Sequence, residues 1–92
     1  MCGIAGSVSN QNSFDHFSQI RLMLNKIKHR GPDDEKILSS ENFCGGYVRL
    51  SINDIENGNQ PFYSDDKNII IFYNGEIYNY KIIKNFLIAN GY

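Results

Sequence analysis

Met1-Cys2-Gly3-Ile4-Ala5-Gly6-Ser7-Val8 opens the chain, with small and apolar residues alternating from Cys2 onward. The alternation predicts a short buried strand over residues 2–8, in which Gly3 and Gly6 let other backbone or a ligand come close. Cysteine at position 2 adds chemistry. Once Met1 is removed, Cys2 is the first residue and its α-amine lies beside its own thiol; the reference pKa values of such groups in model peptides are about 7.7–8.0 and about 8.5. Near neutral pH the amine can take the thiol proton, so nucleophile and base sit on one residue, as in enzymes built on an N-terminal threonine. Taken alone, an early cysteine is more often an ordinary small buried hydrophobe. The remainder of the chain decides between the two.

Outward from this strand, residues 9–13 read as a polar loop. Phe17, Ile20, Leu24 and Ile27 recur at three- and four-residue steps, which predicts an amphipathic helix from residue 14 to about residue 29. Lys26, Lys28, His29 and Arg30 gather at its negative end, and Gly31-Pro32 stops it. Strands are expected over 36–39 and, after a turn at Glu41-Asn42, over 43–52, with a loop over 54–61. Residues 62–64 and 67–74 read as a hairpin across Asp65-Asp66, its second arm, with Ile69 to Phe72, buried on both faces. Asn79 is placed to cap a last helix with Ile82, Ile83, Phe86 and Leu87 on its apolar face, and Gly91 to close it in the left-handed conformation. Strands and hairpins flanked by helices give an α+β layered architecture.

With 92 residues and a formal net charge of −1, the composition fits one globular unit with no basic patch for nucleic acid. No apolar run is long enough to span a bilayer and no signal peptide is visible, so a cytoplasmic protein without membrane association is expected. Two cysteines and two histidines, all isolated, give neither a disulfide framework nor metal-ligand spacing.

Four stretches, taken together and in order, carry a family resemblance: Met1-Cys2-Gly3-Ile4; His29-Arg30-Gly31-Pro32-Asp33-Asp34; Arg49-Leu50-Ser51-Ile52-Asn53-Asp54 with Gln60-Pro61 shortly after; and Asn74-Gly75-Glu76-Ile77-Tyr78-Asn79-Tyr80. They resemble the class II glutamine amidotransferase domain of glutamine-hydrolysing asparagine synthetases. The resemblance implies an N-terminal-nucleophile hydrolase αββα sandwich, present only in part, that takes L-glutamine to glutamate and ammonia. It makes Cys2 the nucleophile and implies that Arg49, Leu50, Ser51, Ile52, Asn53, Asn74, Gly75 and Glu76 line the glutamine pocket.

The residue types suit these tasks. The Asn74 amide and the unhindered Gly75 N–H are neutral donors that can be fixed in place before an oxyanion develops, although an Asn-Gly pair is also a common turn. Arg49 can grip the α-carboxylate with two parallel hydrogen bonds, against the plainer reading of a surface strand arginine. Glu76 can meet the α-ammonium or be a solvated loop carboxylate. His29 reads as a helix-end residue, Arg30 and Asp33 as a pair shaping the pocket wall, Cys44 as inert core, and Tyr73, Tyr78 and Tyr80 as packing.

Two departures from the family pattern stand out. Tyr47 occupies a strand position where relatives usually carry histidine, which bears on positioning rather than on the chemistry. The acidic Ser-Asp motif expected soon after Tyr92 is not reached, so residues 1–92 are read as the N-terminal part of a type 2 amidotransferase domain. The synthetase domain, to which the resemblance assigns ATP and magnesium, is absent, and no cofactor is expected within the segment. Alternatives from other classes are a truncated, non-catalytic remnant or interaction module, and an amidotransferase with another nitrogen acceptor; homo-oligomerisation is left open. Because the base must be a free α-amine on Cys2, the mature active protein should lack Met1. Intact mass spectrometry checks this, and an active protein retaining Met1 would exclude the self-activated cysteine.

Overall fold

The computed structural model describes residues 2–11, 15–51 and 58–92. Among these the elements are strand β1 (Gly3–Val8), helix α1 (His16–Ile27) with a 3-10 turn over Lys28–Arg30, strands β2 (Asp34–Ser39), β3 (Phe43–Arg49), β4 (Phe62–Tyr63) and β5 (Ile70–Ile71), and helix α2 (Tyr80–Ala89). A three-stranded sheet has the order β1-β3-β2, and β4 and β5 form a separate pair. All these pairings are antiparallel. The class is mixed α and β with small sheets.

β3 is the centre because it is enclosed on both faces, and its glycines make that possible. On one face Cys44, Gly46 and Val48 meet α1, whose Ile20 and Leu24 complete a fully buried cluster with Cys44 and Val48. Burying each of these aliphatic side chains contributes about 1.5–3 kcal/mol. A methyl group on Gly46 would fall 2.7 Å from Leu24 Cδ1 and 2.9 Å from the Lys36 carbonyl oxygen. On the opposite face Gly45 leaves room for Phe72, whose ring also lies 6.5 Å from that of Phe43 and 6.4 Å from that of Tyr47.

Helix α1 starts later than its periodicity suggests. Asp15 is the N-cap, its carboxylate accepting from the Ser18 N–H at 3.0 Å. Hydrogen bonds from Ser18 hold that carboxyl below its ordinary pKa. His16, not Phe17, takes the inward position at the first turn, its Nδ1 2.8 Å from Ser7 Oγ. Phe17 is 46% exposed, with the Arg21 guanidinium 6.0 Å above its ring. At the other end the helix tightens into the 3-10 turn, and Gly31 N–H closes on the Lys28 carbonyl at 3.1 Å.

The hairpin turns across Asp65-Asp66 as expected. Ser64 Oγ and Asn68 donate to the Asp66 carboxylate, and Lys67 adopts a left-handed conformation with φ 59°. Its second arm departs from expectation. Only Ile70 and Ile71 are strand, and Ile69 and Ile71 are 61% and 52% exposed. Among the described residues β4 is its one ladder partner, and of the run Ile69 to Phe72 only Phe72 packs against β3 as described above. The strand enclosed on both faces is β3 instead.

Asn79 does not cap α2 with its side chain. The entry is closed by backbone, with Tyr80 N–H on the Ile77 carbonyl at 3.1 Å. The exit is as expected: Gly91 has φ 86°, its N–H bonds to Ile88, and the Tyr92 N–H bonds to Leu87, the paired closure of a Schellman motif.

Where Gly31 passes the end of β3, only a hydrogen fits. An added methyl group would fall 2.5 Å from both Arg49 N and Val48 C, which are backbone and cannot swing aside. Gly31→Ala should therefore destabilise the chain by about 1–3 kcal/mol or more in urea unfolding. Gly6→Ala is the control, since its methyl meets nothing closer than 4.0 Å. Equal stability of the two variants would refute the close approach.

Candidate active site

The antiparallel register of β1 and β3 builds the site. Gly3 pairs with Val48, which brings Cys2 to the end of β3. There the Leu50 N–H donates to Cys2 Sγ at 3.4 Å, and Sγ lies 3.8 Å from the Leu50 carbonyl oxygen. A thiolate is stabilised by such a donor. The Cys2 carbonyl is held by two further segments: Arg30 Nε donates to it at 3.1 Å and Asn74 Nδ2 at 3.0 Å. The Asp33 carboxylate accepts from the Ser51 N–H at 2.7 Å and ties down the chain leaving β3.

Arg49 is no surface residue. It is only 6% exposed, and its Nη1 donates to Asn59 Oδ1 at 2.8 Å. A cavity of about 260 Å³ opens beside it, lined by Cys2, Arg49, Leu50, Gln60, Asn74 and Gly75 together with Gly58, Phe62 and Tyr73. It falls just below the usual range of about 300–1,000 Å³ for ligand pockets and suits an amino-acid-sized molecule. Residues bearing a thiol, a guanidinium and a primary amide thus line one space.

Of the pocket residues expected from the sequence, Cys2, Arg49, Leu50, Asn74 and Gly75 therefore meet. Ser51 is tied to Asp33 outside the lining, and Glu76 is exposed and also outside it. Ile52 and Asn53 lie outside the described residues. His29 is exposed on the 3-10 turn, and Cys44 is fully buried. Gly58, Asn59, Gln60, Phe62 and Tyr73 are site residues that periodicity and residue type did not single out. The Gln60-Pro61 motif was the available signal. Among the described residues no group of three or more His, Cys, Asp or Glu side chains could hold a metal ion.

The family model of the glutamine amidotransferase domain matches residues 1–92. The chain belongs to this family. The amidotransferase chain is 40% identical over 95 residues to asparagine synthetase [glutamine-hydrolyzing] 1 of Bacillus subtilis (strain 168), with 100% of the chain and 15% of the relative covered. It is 36% identical over 95 residues to a probable asparagine synthetase [glutamine-hydrolyzing] of Dictyostelium discoideum, with 99% of the chain and 16% of the relative covered. Against asparagine synthetase B [glutamine-hydrolyzing] of Escherichia coli (strain K12) it is 35% identical over 85 residues, covering 91% of the chain and 15% of the relative. The amidotransferase chain thus spans about a sixth of the length of these relatives or less. No solved structure matches it significantly. Among the described residues no helix is long and apolar enough to cross a membrane.

The two thiols of the amidotransferase chain differ in access: Cys2 borders the cavity, whereas Cys44 is fully enclosed behind α1. A chloroketone analogue of glutamine should label Cys2 at least about tenfold faster than Cys44, since reaction follows thiolate population and exposure. Peptide mapping reads this directly. Modification of Cys44 first would remove Cys2 as the nucleophile.

Proposed function

We propose that the chain is the nucleophile-bearing part of a glutaminase site. The observation that carries this reading is the single cavity shared by Cys2, Arg49 and Asn74. With Met1 removed, the α-amine takes the Cys2 thiol proton and the thiolate attacks the side-chain carboxamide carbon of glutamine. The carbonyl π bond opens to an oxyanion, which the Asn74 amide and the Gly75 N–H meet as neutral donors. An amide NH2 has two N–H groups, so Asn74 can hold the Cys2 carbonyl with one and the oxyanion with the other. Collapse breaks the C–N bond, and the nitrogen leaves as ammonia with the proton returned by the α-ammonium. Water then attacks the thioester, giving glutamate and the free thiol. Arg49 grips the α-carboxylate throughout, and Glu76 is assigned to the α-ammonium.

The wider reading follows from similarity to asparagine synthetases, which supports an αββα N-terminal-nucleophile sandwich completed by residues beyond this segment. Residues 1–92 are then the N-terminal part of a type 2 amidotransferase domain in a cytoplasmic protein. Its ammonia would serve ATP-dependent amidation of aspartate in a synthetase domain, which would hold the ATP and magnesium.

Steady-state glutamate release, measured without nitrogen acceptor in the complete polypeptide carrying this segment, tests the assignments. Arg49 meets a group that is unchanged between substrate and transition state, so Arg49→Lys should chiefly raise KM. Asn74 meets a charge that exists only during reaction, so Asn74→Ala should lower kcat about a hundred- to thousandfold with KM little changed. The reverse pattern, Asn74→Ala acting on KM alone and Arg49→Lys on kcat alone, would return Asn74-Gly75 to the status of a turn.

A further inference from the structure

Asn74 does not sit on a strand. β5 ends at Ile71, so the chain between it and Asn74 has lost its ladder partner. A side chain replaces that partner. Gln60 Nε2 donates to the Tyr73 carbonyl at 2.6 Å, and the Tyr73 N–H donates to Gln60 Oε1 at 2.6 Å. One carboxamide thus holds both backbone polar groups of Tyr73, the residue preceding Asn74, as a neighbouring strand would.

Gln60 is itself anchored from the enclosed sheet. Its backbone N–H donates to the Tyr47 hydroxyl at 3.2 Å, and that hydroxyl donates to Asp34 Oδ2 at 3.2 Å. Tyr47 is 1% exposed and stands on β3 two residues before Arg49. Burial above all, with the Asp34 carboxylate adding to it, pushes the Tyr47 phenol above its ordinary pKa, so it remains a donor at neutral pH. The chain of contacts runs from Asp34 on β2 through Tyr47 and Gln60 to Tyr73, and so to Asn74.

We propose that Gln60, anchored by Tyr47, is a positioning residue that fixes Asn74 against Cys2. The proposal rests on the glutaminase reading and assigns Gln60 no contact with the reacting atoms. Tyr47 supplies an acceptor for the Gln60 N–H and a donor to Asp34 at once.

The test is a double-mutant cycle on glutamate release in the complete polypeptide. Gln60→Glu keeps the side-chain shape but removes the N–H that the Tyr73 carbonyl needs. It should lower kcat on the order of tenfold with KM changed less than about twofold. In an Asn74→Ala background the same substitution should cost less than about twofold, because the group it positions is gone. Tyr47→Phe keeps the ring against Phe72 and should show the same pattern at a loss of about two- to tenfold. It carries the test if Gln60→Glu does not fold. Losses that multiply undiminished in the Asn74→Ala background would overturn the proposal, as would a rise in KM alone, which would mean that Gln60 touches glutamine. Full activity of both Cys2→Ala and Asn74→Ala would instead bring down the glutaminase reading itself. The two failures are therefore distinct.

Discussion

The pairing of Gly3 with Val48 is the constraint on which the rest depends. Side chains alternate faces along a strand, so a slip of one residue would turn Cys2 away from Leu50 and move Arg49 relative to it. The register is held by what lies on the two faces of β3. On the α1 side, Ile20 and Leu24 need the shallow position at Gly46 to reach Cys44 and Val48. On the other, Phe72 needs the one at Gly45. Adjacent glycines therefore serve opposite faces of one strand, and the helix and the hairpin together lock the alignment that brings the thiol to the cavity.

This explains which parts of the fold the sequence made legible. Helix α1, the Asp65-Asp66 hairpin and the closure at Gly91 rest on local chemistry, namely spacing, turn residues and a left-handed position, and all three are present. The enclosed strand was sought in the most apolar run, Ile69 to Phe72, whereas it is Phe43 to Arg49, with two glycines, a tyrosine and an arginine. Composition failed there because enclosure needs facing layers, and hydropathy reports only the side chain's own preference. Asn79 shows the same limit on a smaller scale: it has the right type for a cap, but backbone already closes that turn.

The site was legible where a motif names a residue that borders the cavity, and opaque where a residue acts through another. Cys2, Arg49 and Asn74 come from three separate stretches of sequence and meet in one space. Gln60 and Tyr47 carry no chemistry by type. Their importance lies in hydrogen bonds to the peptide before Asn74 and to each other, which no spacing encodes.

Arg49 shows how the fold and the proposed chemistry constrain one another. Arg49 is 6% exposed, and a charged side chain so enclosed stays favourable only while its donors are met. Asn59 Oδ1 accepts from one of them. The Arg49 guanidinium is thereby oriented beside the cavity that Cys2 and Asn74 also line. The enclosure of β3 that fixes the position of Cys2 also shelters the Arg49 charge from water. A looser β3 would weaken both, because a cation returned to solvent is screened and a thiol freed from the Leu50 N–H loses its fixed donor. Packing of Phe72 and α1 against two glycines is thus the physical source of both the position of Cys2 and the burial of Arg49.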